Sequence, residues 1–185
     1  MGNLSNNGVS KSHFLSRAEL DRAALAVQDE LDALGLWAAV RRTDVIWCAL
    51  PAPQAWLAYG YFLHGRVSPL ERWLGWRPGH IYLPAVSVHP RQVRDTLRHE
   101  YGHALAHRQP AGTRSRAFRA AFGGDGWQAE PTLRQRPAHC VSRYAQTCPR
   151  EDFAETFMVY VRRQGRAPAK MTDGLRAKWE VVAHL

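Results

Sequence analysis

Residues 95–107 read DTLRHEYGHALAH. The stretch places His99, Glu100 and His103 in the order His-Glu-Tyr-Gly-His. A helical period runs from near Pro90 to about Arg108, where Gln109-Pro110 stops it. At about 100° per residue, Val93, Leu97, Tyr101 and Ala104 share one stripe. His99 and His103 fall together on another face, about 40° apart, with Glu100 beside them. The core stripe is therefore complete without the histidines. Imidazoles at i and i+4 can turn ring nitrogens toward one ion. Zinc accepts imidazole nitrogen, and a catalytic zinc site carries three protein ligands and keeps one position open. Glu100 is too near in sequence to be a comfortable third ligand, but it is placed to act on a water molecule as general base. The stretch is half a metal site, and a third ligand must come from elsewhere.

His107 is the nearest candidate, yet three imidazoles along one straight helix do not converge easily on a tetrahedral ion. The longer pattern with a glycine and a third histidine also fails, because those positions hold Ala106 and Gln109. The better candidate lies in PREDFAETF, residues 149–157, at the start of a helix expected to run to about Arg163. Glu151 and Glu155 share one face of it, Ala154, Phe157 and Val161 form the core side, and Asp152 and Thr156 are expected to be solvated. Two carboxylates one turn apart repel each other unless a cation or imidazole N–H groups offset them. Glu151 is thus the expected third ligand, and Glu155 the acceptor that fixes the tautomer of a ligand histidine. Tyr144, on its own residues, reads as a core aromatic in a short strand over 141–144.

The rest of the chain sets the frame. Its 185 residues suffice for one domain with a real core. No apolar run is long enough to span a bilayer. The first residues lack both the apolar core of a secretory signal and the myristoylation pattern, since Asn6 stands where Ser or Thr is needed. We expect a flexible tail over 1–14, a single domain over 15–185, and a protein that is cytoplasmic or exported by a signal-independent route. The net charge of +9 comes from arginines scattered along the chain rather than clustered, which argues against a nucleic-acid partner. Cys48, Cys140 and Cys148 are too few for a disulfide framework and read as thiols. Ser16-Arg17-Ala18-Glu19 is a capping box opening an amphipathic helix with Leu20, Ala24, Val27, Leu31 and Leu34 as its stripe. Residues 45–47, 56–59 and 81–83 are short β-favouring runs, 72–79 a turn, and 173–184 a last helix.

The two motifs together, HEYGH at 99–103 and YAQTCPREDFAE at 144–155, resemble a gluzincin zinc metallopeptidase. They are most similar to the anthrax-lethal-factor-like branch and to bacterial zinc metallopeptidases carrying a Tyr-(x)6-Glu element, here Tyr144 to Glu151. The matching pieces cover residues 97–107 and 141–160. The resemblance implies an α+β, zincin-like metallopeptidase domain. In such a domain a small mixed sheet places an edge strand over the active-site helix, and a helical C-terminal half follows. It implies one zinc ion per chain held by His99, His103 and Glu151, with Glu100 as general base and Tyr144 as donor to the oxyanion. In many zincins an edge strand before the metal-binding helix pairs with the substrate. Residues 79–86 stand in that place and Pro84 suggests an edge, so Ile81, Tyr82 and Leu83 are the expected substrate-binding residues.

The expected activity is hydrolysis of peptide bonds in a protein or peptide by a zinc-activated water. One alternative is a catalytically silent or structural-zinc interaction module. Another is the same protease acting as an exported bacterial toxin or effector, which would bring an inhibitor or immunity partner.

Overall fold

Helix α1 (Arg17–Ala33) begins where the sequence caps it. The Ser16 hydroxyl accepts the Glu19 N–H, and the Glu19 carboxylate accepts the Ser16 N–H at 2.7 Å, so both orphan donors are satisfied. This computed structural model describes residues 16–48, 60–65, 67–73, 75–84, 90–127, 129 and 137–185. The tail expected over 1–14 and the β-favouring run at 56–59 lie outside the described residues. Leu20, Ala24, Val27 and Leu31 are buried as the stripe requires. Gly35, at φ +71°, turns the chain into the short helix α2 (Trp37–Val40).

Three short strands follow, β1 (Val45–Cys48), β2 (Tyr61–Phe62) and β3 (Ile81–Pro84), with helix α3 (Pro69–Trp73) between the last two. Their order is β1-β3-β2, with β1 parallel and β2 antiparallel to β3. The sheet is therefore mixed, and with the helices it gives the expected α+β architecture. One detail is corrected. Residues 81–84 form the central strand, not the edge, and Ile81, Tyr82 and Leu83 are 0%, 4% and 3% exposed. The strand that borders the helix over 90–108 on the open side, among the described residues, is β2.

Helix α4 (Pro90–Arg108) runs through the centre of the molecule. Val93, Leu97, Tyr101, Ala104 and Leu105 are buried against α1, the sheet and α7 (Pro149–Arg162). Gly102 makes the last contact possible. A Cβ there would stand 3.0 Å from the Ala154 Cα and 3.2 Å from the Phe157 ring. The two backbones can approach closely only because position 102 has no side chain. After α4 come α5 (Pro110–Thr113) and α6 (Arg116–Phe122), two 3₁₀ turns at 137–139 and 144–146, then α7 and α8 (Asp173–Ala183).

Asp152 is not solvated. It is fully buried, as is Thr156, because α8 covers that face of α7. Lys178 of α8 reaches it at 2.6 Å and also donates to the His139 carbonyl at 2.7 Å. The pair thus fastens α7, α8 and the 137–140 segment together. A second charged cluster joins the other side: Arg98 forks onto Glu30 of α1 and also meets Asp95, which Arg162 of α7 reaches at 3.0 Å. Cys48, Cys140 and Cys148 are thiols, with no disulfide between them.

Candidate metal centre

Helix α4 presents His99 and His103 one turn apart, and the close packing allowed by Gly102 brings the first turn of α7 opposite them. Three donor atoms converge. His99 Nε2 and His103 Nε2 lie 3.1 Å apart, and Glu151 Oε2 lies 3.2 Å from the first and 3.3 Å from the second. A tetrahedral ion bound at about 2.0–2.1 Å requires ligand atoms roughly 3.3 Å from one another. The triangle has that size. Among the described residues, these three are the group that could hold a metal ion.

The bonding around the triangle supports the same reading. Glu151 Oε2 is buried and faces two imidazole nitrogens at 3.2 and 3.3 Å without a well-aligned hydrogen bond to either. A buried carboxylate oxygen left in this state is costly, and a cation at the centre of the triangle satisfies it. The other oxygen, Oε1, accepts from Arg150 Nε and Nη2 at 3.0 Å each. Burial opposes ionisation of Glu151, but the two imidazoles outweigh it and hold the carboxyl far below its usual range. Burial likewise opposes protonation of His99, yet Glu151 and Glu155 raise its pKa to about 10. The positive charge drawn to His99 is the charge a bound dication would provide instead.

Glu155 stands where the helix wheel puts it. Its Oε1 is 2.8 Å from His99 Nδ1. A proton on Nδ1 leaves the Nε2 lone pair facing the triangle. Glu155 also takes a hydrogen bond from the Ser142 side chain. Burial pushes its carboxyl up, but His99 and Ser142 bring the pKa below its ordinary value. The Ser142 hydroxyl in turn accepts the Ala145 N–H at 3.0 Å, which fixes the turn carrying Tyr144. The second histidine has no such partner: His103 Nδ1 is buried and unpaired among the described residues.

Glu100 is 6% exposed and borders the cleft over the triangle. Its Oε2 accepts the Phe62 N–H at 2.7 Å, so strand β2 holds one carboxylate oxygen in place. A Cβ on Gly60 would collide with Thr96 and Leu83 and press on Glu100, so the bare backbone lets β2 lie against α4. Tyr144 is not a core aromatic in a strand. It sits on a 3₁₀ turn, 53% exposed, with its ring 5.9 Å from that of His99. Burial of the side chain, then the charge and hydrogen bonding of the Glu151 carboxylate, push its pKa well above the usual phenol range.

His107 points elsewhere. It is exposed and packs against Phe62 and Trp127, with ring centroids 5.6 and 5.5 Å away. Among the cleft residues that gave no signal in the sequence are His64, Trp127 and Arg150. Each is a lone residue beside a loop or helix start, and only the fold brings them to the motif.

Two comparisons find nothing: no curated protein and no solved structure matches the chain. A family model described as "Putative zinc-binding metallo-peptidase" matches residues 89–181, which includes α4, Tyr144 and α7.

Proposed function

The chain belongs to that family of zinc-binding metallo-peptidases, and from this premise we propose that it is an active gluzincin-type zinc peptidase cleaving peptide bonds in a protein or peptide, with one zinc ion per chain. The observation that carries the reading is the triangle of His99 Nε2, His103 Nε2 and Glu151 Oε2, sized for a tetrahedral ion and open on one side to a cleft that Glu100 borders.

A zinc ion in such a site polarises a carbonyl and lowers the pKa of water. The chain's own residues do the rest. Glu100, anchored at Oε2 by the Phe62 N–H, keeps Oε1 to take a proton from the attacking water and pass it to the departing amine. Tyr144, kept protonated, donates to the carbonyl oxygen as negative charge builds on it. Glu155 holds the ring of His99 in one tautomer and one orientation. A structural zinc site needs no base and is normally closed by four protein ligands. The three-ligand triangle and the neighbouring Glu100 favour the catalytic reading over that one.

The test is metal content with proteolysis. Purified protein should carry about one zinc per chain and cleave at least some members of an unbiased peptide library. A chelator should stop cleavage, and Glu100→Gln should stop it while zinc stays bound. Zinc bound at full occupancy in a protein that cleaves nothing would refute the enzymatic reading and leave the structural one.

A further inference from the structure

Just beyond strand β2 lies a residue that the family match over 89–181 does not include. Leu63 is locked to the central strand on both sides: its N–H donates to the His80 carbonyl at 3.0 Å, and its carbonyl accepts the Gly79 N–H at 2.7 Å. Leu63 is buried with Val67 and Tyr82. The next side chain, His64, therefore turns to the opposite face and lines the cleft over the triangle together with Glu100, Tyr144 and Arg150.

Two contacts hold its ring. It stacks on Trp127, with centroids 4.8 Å apart and planes 14° from parallel. The Phe62 backbone also faces the ring and favours a proton on it. Phe62 is the residue whose own N–H holds Glu100. Phe62 of β2 thus anchors Glu100 and borders His64. A neutral imidazole that donates from one nitrogen has an acceptor on the other. Burial, with Arg150, His103 and His107 nearby, lowers the pKa of His64 and keeps the ring neutral. In a cleft whose further polar side chains include the Tyr61 and Tyr144 phenols and the Arg150 guanidinium, His64 supplies a neutral acceptor beside the anchored Glu100.

We propose that His64 is a further substrate-contacting residue, whose imidazole accepts a hydrogen bond from an N–H of the peptide lying in the cleft. The inference rests on the peptidase reading above. It is tested on the zinc-loaded protein with three probes: acetohydroxamate, a dipeptidyl hydroxamate, and the depsipeptide analogue in which an ester oxygen replaces the peptide N–H. The native protein should prefer the amide over the ester by roughly 3- to 10-fold, the worth of one hydrogen bond. His64→Phe keeps a ring against Trp127 but has no acceptor. It should bind acetohydroxamate as the native protein does and lose the amide preference. If His64→Phe disturbs the metal centre, altered acetohydroxamate binding reveals it, and His64→Ala is read in its place. A native protein that does not discriminate, or variants that discriminate equally well, overturn the proposal. If the native protein does not bind acetohydroxamate at all, the reading of the metal centre has failed and this inference falls with it.

Discussion

Glu155 touches the triangle only through His99, which makes it a sensitive gauge of how the site is built. Its Oε1 lies 2.8 Å from His99 Nδ1, and that carboxylate is in turn held by Ser142. Removing it frees the ring to rotate and to exchange tautomers. Losses of this kind typically reduce metal affinity about 10- to 100-fold. Glu155→Ala should show such a drop in competition titrations against a chromophoric chelator. Unchanged affinity would mean that Glu155 is only a helix charge. Tyr144→Phe should do the opposite: zinc affinity stays, and kcat falls roughly 10²- to 10³-fold, the usual cost of one oxyanion donor. The two variants separate holding the metal from using it. Glu155 was legible in the sequence because a helix wheel relates residues one turn apart. Ser142, which joins Glu155 to the Tyr144 turn, was not, because that link depends on two non-helical turns folding back on α7.

Helix α7 shows how far a wheel carries. It correctly grouped Glu151 with Glu155 and Phe157 with the core, but it assigned Asp152 and Thr156 to solvent. A wheel reports which residues share a face, not whether a second helix covers that face. Here α8 does, and the buried charge of Asp152 is matched by Lys178 at 2.6 Å. Lys178→Met leaves a buried carboxylate without its cation, and the fold should lose about 3–5 kcal/mol in urea unfolding. Adding Asp152→Asn should restore part of that loss, since the stranded charge is then gone. The packing of α4 on α7 makes a second prediction at this scale. Gly102→Val drives two methyl groups toward Ala154 and Phe157 where a single Cβ already meets backbone at 3.0 Å. Overpacking of this kind costs about 1–3 kcal/mol. Because the helices separate at the level of His103 and Glu151, zinc affinity should fall as well. A variant that loses stability but binds zinc as before would show that the triangle tolerates the displacement.

Across the whole molecule, the fold class and the main helices were readable because capping, periodicity and proline breaks are local signals. The sheet was readable only as short β-favouring runs. Strand β2 has two residues, too few to show a period, and its antiparallel pairing with 81–84 puts the expected edge strand in the centre. The strand that holds Glu100 was therefore missed, while the residue it holds was found.

That division also decides what the metal does for the fold. The core of Val27, Leu31, Leu97, Tyr101, Phe153, Phe157 and Val161 is buried without any ligand residue among it. The His99 ring, with a pKa near 10, and the Arg150 guanidinium together offset the Glu151 and Glu155 carboxylates in the absence of an ion. The zinc-free protein should therefore remain folded at 25 °C, with unchanged far-UV circular dichroism. Free zinc at a thousand times its dissociation constant adds about 4 kcal/mol to a folded state that alone binds it. For a chain of 185 residues, each kcal/mol moves the melting temperature by about 2–4 °C. Stripping the metal should then lower Tm by roughly 8–16 °C, and adding zinc back should restore it. An unfolded zinc-free protein would mean that the ion organises the core, as in a structural site. A Tm indifferent to zinc would mean that the triangle does not hold it.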